Sequence, residues 1–313
     1  MALQAGSVTI KTSGGTYSSW AAFWDDIGDL TGNITCTVDD TTFTEATAPA
    51  GVTESLGGYT ITVTPATRAT TTDATTGPRF ECSYWGWWLG IYMTGGGNII
   101  IDGIVVKGAG AFTPGGFGVF ANVDVVLKNN IFKNTNTNIY FEYADIYIRV
   151  YNNIVIEAKD AFLAYYVLAD SSIIANNTIV DCDRYGINAN NKIVSYKNNL
   201  VYNSGTANFI KIGTGTSGYN NASSDTTGED ADWGGTGTDN VTGISDPFNA
   251  LASDDFTITS GGVVGTAGYN YSGSFTDDFF GVTRDNWTIG ACEYISPTYS
   301  VSVVGSRDIK YLY

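Results

Sequence analysis

Leu127-Lys128-Asn129-Asn130-Ile131-Phe132 returns as Val150-Tyr151-Asn152-Asn153-Ile154-Val155, as Ile174-Ala175-Asn176-Asn177-Thr178-Ile179 and as Tyr196-Lys197-Asn198-Asn199-Leu200-Val201. The Asn pair comes once more at Asn220-Asn221, and Asp102-Gly103 stands in for it one step earlier. With the second member of each pair as zero, successive copies lie 27, 23, 24, 22 and 22 residues apart, a period that stacked solenoids produce. Position −3 reads Ile100, Leu127, Val150, Ile174 and Tyr196, and position +2 reads Val105, Phe132, Val155, Ile179 and Val201, apolar throughout. Position −2 reads Ile101, Lys128, Tyr151, Ala175 and Lys197, the mixed column expected where alternate side chains of a strand point to solvent.

Each pair therefore marks a bend between two short strands. Asn tolerates the left-handed backbone that such a bend needs, and Gly tolerates it better, which lets Asp-Gly replace Asn-Asn in the first copy. Stacking would bring Asn130, Asn153, Asn177 and Asn199 into a column whose amides bond to one another as a ladder. An antiparallel sandwich also spaces its strands evenly, but gives no reason for one residue type at successive bends. The expected fold is all-β, a single right-handed parallel β-helix.

Composition agrees. The 313 residues include 38 Gly and only 6 Pro, with 15 % charged residues, which favours strands joined by tight polar turns. A formal charge of −16 without any His or basic cluster argues against nucleic acid and anionic membrane as partners. Cys36, Cys82, Cys182 and Cys292 form no Cys-x-x-Cys pair and have no His to complete a zinc site, so they read as buried thiols, with a disulfide as the alternative. Met1 to Ser13 lacks a basic segment followed by an apolar one, so no signal peptide is expected, and no apolar run is long enough for a membrane helix.

Solenoids need capped ends. Trp20, Phe23, Trp24 and Ile27 fall at i, i+3, i+4 and i+7 behind Ser18 or Ser19 as N-cap, with Gly28 as a stop, which predicts a short capping helix. Ile34 to Val38, Tyr59 to Pro65 and Phe80 to Met93 read as strands of early coils, and Phe256 to Ser260 and Trp287 to Tyr294 as late strands. The chain thus divides into a cap with early coils (1–97), regular coils with a closing coil (98–294) and a C-terminal arm (295–313). In that arm Tyr299, Val301 and Val303 alternate with Ser as an assembly strand would, with a flexible tail as the alternative.

The run Asp277-Asp278-Phe279-Phe280-Gly281-Val282-Thr283-Arg284, followed by Trp287-Thr288-Ile289-Gly290-Ala291-Cys292-Glu293-Tyr294, resembles the closing coil of the large β-helix group related to pectate lyases. Thr288 stands where that group usually has Asp. The stretch Tyr17 to Leu30 is similar to β-helix proteins of tailed phages. Together these resemblances imply a parallel β-helix and a virion component.

Enzymes of the group use Asp-bound Ca²⁺ with an Arg or Lys base, or Asp residues with a nearby His, and the absence of His removes the second constellation. For the first, position +4 reads Asn134, Glu157, Asp181 and Asn203, which puts Glu157 and Asp181 on neighbouring coils about 4.8 Å apart. That spacing resembles a retaining glycosidase pair, with Arg184 close by, although a second polar ladder explains it equally well. Asp230-x-Asp232 with Gly234-Gly235 echoes the start of a Ca²⁺ loop, but Val241 takes the place of its bidentate Glu, so the expectation is a solvated acidic loop and no cofactor, with Ca²⁺ as the alternative. Trp85, Trp87, Trp88 and Tyr92 offer a platform for sugar rings or a partner surface, with packing against the cap as the alternative. The resulting expectation is a non-enzymatic structural or adhesive protein on a phage virion, a homo-oligomer (a trimer) docked on other virion subunits and possessing a surface for glycans. The competing expectation is a polysaccharide-degrading enzyme or a secreted carbohydrate-binding adhesin.

Overall fold

The computed structural model describes all residues except 1, 40, 50–53, 69–76, 84–86, 92–94, 109–114, 120–122, 142–146, 165–171, 191–194, 213–216, 228–238, 260–262, 266 and 295–313. The fold is a parallel β-helix with three sheets of nine, eight and six strands, in each of which neighbours come from successive coils. The first sheet runs from Gly6–Ile10 through Ile34–Val38, Thr60–Pro65 and Asn98–Asp102 to Ser217–Tyr219. The second sheet runs from Thr42–Glu45 to Ala222–Ser223, its later strands each following an Asn bend, and the third runs from Trp87–Ile91 to Ala207–Ile212. Parallel pairing continues across residue 97, with Thr60 opposite Asn98, so cap-side and regular coils share one sheet.

Register stacks like on like. Cys36, Val63, Ile101, Leu127, Val150, Ile174 and Tyr196 form one interior column of the first sheet, and all are buried. Phe43, Phe80, Val106, Phe132, Val155, Ile179 and Val201 form the column facing it from the second sheet. Leu89, Ile139, Phe162, Ile187 and Phe209 fill the third corner of the interior.

This register corrects the alignment of the first copy by one residue. Asp102 lies opposite Lys128 and Val105 opposite Ile131, so Gly103 matches Asn129 and Ile104 matches Asn130. Ile101, not Ile100, points inward, and Val106, not Val105, fills the interior column. The backbone explains the slip. The residue held left-handed is the first of each pair (φ 57° at Asn129 and Asn152, 52° at Asn176, 56° at Asn198 and Asn220), and Gly103 takes that place with φ 76°.

The helix spans Trp20–Asp25, with Ser19 as N-cap accepting the Ala22 N–H at 3.1 Å, and it ends at Asp26 rather than Gly28. Trp20, Phe23, Trp24 and Ile27 are buried over the first coils, with the Trp20 and Phe80 ring centroids 5.0 Å apart. Glu45, itself buried, receives the Trp20 N–H at 2.8 Å and anchors the open first turn. The four cysteines are buried and free. No helix among the described residues is long and apolar enough to cross a membrane.

The run expected to close the helix does not stack as a coil. After the antiparallel hairpin Phe248–Ala250 and Asp255–Ile258, the chain turns back along the outside of the helix. Asn220 donates to Ala267 O at 2.8 Å, Asn198 to Tyr269 O at 2.7 Å and Asn152 to Asp277 O at 2.8 Å, while Arg68 donates to Phe279 O at 3.2 Å. Residues 267 to 279 thus descend a column of outward Asn side chains, as a strap. Residues 287–294 are irregular, not a strand; Trp287 has φ 52°.

The strap is held by a buried ion pair. The Arg284 guanidinium meets Glu293 Oε2 at 3.2 Å, Asn152 Oδ1 at 2.9 Å, and the carbonyls of Asp277, Thr288, Gly290 and Ala291. Glu293 accepts the N–H groups of Asn286 and Thr288, and Asp278 those of Phe280, Val282 and Glu293. The resemblance to a closing motif therefore falls on residues that close the flank. Beneath the strap Val105, Ile131, Ile154, Val180 and Leu200 form an outward apolar strip packed against Phe279, Ile289 and Cys292.

Candidate functional site

Two polar columns run along the helix. The inner one is the predicted ladder: side-chain amide N to amide O distances are 3.0 Å for Asn130 to Asn153, Asn153 to Asn177 and Asn177 to Asn199, and 3.1 Å for Asn199 to Asn221. Asn240, beyond the last pair, adds a sixth member at 3.4 Å. Each amide also donates to a first-sheet carbonyl of the preceding coil, as Asn177 does to Val150 O at 3.0 Å, and each amide oxygen also accepts a backbone N–H, as that of Asn177 does from Asn153 at 3.0 Å. In the four middle members, Asn153, Asn177, Asn199 and Asn221, both amide hydrogens donate and the amide oxygen accepts twice, which is the condition for tolerating them in an apolar interior.

The second column holds Asn134, Glu157, Asp181 and Asn203. All four are left-handed, with φ between 53° and 59°. Glu157 donates its N–H to Val180 O and Asp181 its own to Tyr202 O, both at 3.0 Å, so the two carboxylates do lie on adjoining coils. Glu157 is exposed, and Asp181 accepts from Asn203 Nδ2. Arg184 does not join them. It forks onto the buried carboxylate of Asp160 on the preceding coil, through Nη2 to Oδ2 and through Nε to Oδ1 at 3.1 Å. What unites this column is the backbone conformation.

Trp87 and Trp88 open the strand Trp87–Ile91, whose Leu89 is buried in the interior, while Trp85 and Tyr92 lie outside the described residues. Tyr299, Val301 and Val303 also lie outside them, as do Asp230 and Asp232. Among the described residues no group of three or more Cys, Asp and Glu is placed to hold a metal ion.

The structure adds a site that the sequence reading missed. A cleft of about 390 Å³ lies between the outer face of the first sheet and the strap, lined by Ser172, Ser195, Lys197, Tyr269, Asn270 and Tyr271 among others. Its floor is built from neighbouring strands in register, with Ile173 opposite Ser195. Its wall is fixed: Tyr269 N donates to Asn198 Oδ1 at 2.6 Å while Asn198 Nδ2 donates to Tyr269 O, and Ser195 Oγ lies 3.2 Å from the Tyr271 hydroxyl. The Lys197 ammonium sits 3.8 Å from the Tyr269 ring centroid, 5.5 Å from that of Tyr219 and 5.7 Å from that of Tyr271. Burial holds the Lys197 ammonium below the usual lysine pKa and pushes the Tyr271 phenol up to about 12.

The chain matches no family model and no curated protein. The signal for the cleft was present in the sequence as Lys197, in the mixed outward column, and the pair Tyr269-x-Tyr271. Nothing in the repeat showed that the two would meet, because the strap that joins them has no period.

Proposed function

We propose that this chain is a structural or adhesive β-helix of a phage particle, a rigid non-catalytic rod that docks on other virion subunits as a homo-oligomer and holds its loops outward. The observation that supports this reading most is the use to which its reactive groups are put. Arg184 is committed to Asp160 and Arg284 to Glu293, and Asp181 accepts from Asn203, so the cation that a catalytic pair of Glu157 and Asp181 would need is bound elsewhere, and the pair itself follows from a left-handed bend of the backbone. A saturated buried amide ladder along the axis and a strap bonded along the flank favour stiffness, which a docking rod needs and a turnover cycle does not. The acidic surface, −16 overall, suits repulsion from nucleic acid and solubility at high local concentration.

The test is composition of particles. Mass spectrometry of gradient-purified virions should find the chain at a fixed stoichiometry, and sedimentation of the purified protein should give an oligomer. A monomer that depolymerises a polysaccharide would reverse the reading in favour of an enzyme.

A further inference from the structure

Lys197 differs from most of the cations among the described residues. On the described surface Lys11 faces Asp39, Arg68 and Lys128 face Asp102, Lys133 faces Asp254 and Arg184 faces Asp160. Lys197 has no carboxylate partner among the described residues, although acidic side chains outnumber basic ones by 31 to 15. Three tyrosine rings surround it instead. Contact with a ring face offsets part of the cost of desolvating an ammonium but leaves its charge uncompensated.

A second cation stands on the same face. Arg149 lies opposite Ile173, one coil from the cleft floor, with its guanidinium 5.2 Å from the Tyr147 ring centroid and its Nε buried without a hydrogen-bond partner. The hydroxyls of Ser195 and Tyr271 and the amide of Asn270 supply donors and acceptors around the opening, and Tyr269, 46 % exposed, presents ring surface beside the ammonium. The volume falls in the range of small-molecule sites, about 300 to 1,000 Å³, and the doubly bonded wall holds the groups in place before any ligand arrives.

We propose that this cleft binds an anionic sugar, a pyranose ring bearing a carboxylate, sulfate or phosphate. The anionic group pairs with Lys197, the ring lies against the Tyr269 side of the wall, and the sugar hydroxyls bond to Ser195, Tyr271 and Asn270. Neither a neutral sugar nor a bare anion uses the whole site: the first leaves the ammonium unpaired and the second leaves the ring surface bare. This inference stands whether or not the chain belongs to a particle.

Titration of the whole protein by calorimetry or ligand-observed NMR with glucuronate, glucose 6-sulfate and glucose 6-phosphate, against glucose, acetate and inorganic phosphate, tests it. At least one of the three anionic sugars should saturate with a Kd of about 1 mM and bind about tenfold more tightly than glucose and than either small anion. The strongest of the three identifies the anionic group. Lys197→Met should weaken that ligand about tenfold or more at unchanged thermal stability, Lys197→Arg should retain most of the affinity, and Tyr269→Ala, an exposed substitution, should weaken it several-fold. Failure of all three to saturate by about 20 mM, equal binding of glucose, acetate or phosphate, or unchanged affinity in either Lys197→Met or Tyr269→Ala overturns the proposal.

Discussion

The two polar columns of this helix have the same backbone problem and solve it differently. At the Asn bends, a left-handed residue is followed by a second Asn whose amide is buried and fully bonded, coil after coil. At the other bend the same left-handed conformation is met by Asn134, Glu157, Asp181 and Asn203 in turn, at the solvent side, with the Asn203 to Asp181 bond between their side chains. Uniform residue type marks a column in which side chains bond to one another through the interior. A column that shares only polarity marks a requirement of the backbone alone.

The largest way to break that contrast is through the strap that grips the outer Asn side chains. Arg284→Ala leaves Glu293 buried without its partner and strips Asn152 of a donor, so a loss of about 3 to 5 kcal/mol is expected, read from denaturant unfolding. Asn177→Ala comes next. It removes bonds to Asn153, Asn199 and Val150 and orphans buried groups on both neighbouring coils, for about 3 kcal/mol. Asp181→Gly and Glu157→Gly, by contrast, relieve the left-handed strain at little other cost and should shift stability by less than about 1 kcal/mol, with Glu157→Gly neutral or stabilising. If Asn177→Ala proves as mild as Glu157→Gly, the distinction between the columns fails. The double substitution Glu157→Ala with Asp181→Ala should leave any polysaccharide-cleaving activity where it was, as assayed by reducing-end release.

A smaller effect should appear at the cap. Burial raises the Glu45 pKa above its ordinary 4.5, against the Trp20 and Ala21 N–H groups that lower it. A carboxyl whose folded pKa is raised contributes stability that is fully present at acid pH, and loses it as pH rises through the folded value. Glu45→Gln should therefore gain on the natural protein as the pH of thermal melts is raised from about 4 to neutrality, and the gain should vanish at the acid end. A difference that grows in the opposite direction would place the helix N–H bonds above desolvation.

Much of this was legible in the sequence, and the rest was hidden for definite reasons. The Asn ladder could be read because neighbours in space repeat at neighbours in period. The first copy slipped by one because Gly103 imitates either member of the pair, and only the register with Lys128 decides which. The strap was read as a coil because its bonds join backbone carbonyls to Asn side chains 47 to 125 residues away, a relation that leaves no pattern. One sign was available. The residues just after three of the pairs, Ile131, Ile154 and Leu200, are large and apolar although they point away from the interior, and a solenoid that is apolar on both faces of one sheet needs a cover. The cleft was hidden with the strap, since half of its wall is strap.

That cover also sets an order of events. Ribosomal synthesis delivers residues 98 to 223 before residues 263 to 293, so every coil can stack while the strip of Val105, Ile131, Ile154, Val180 and Leu200 still faces water. In that interval the nascent solenoid carries a continuous greasy seam, the kind of surface on which two such chains adhere. Residues 263 to 293 act in effect as an internal chaperone for the coils made before them, and a chain stopped before Val263 should be produced chiefly as aggregate.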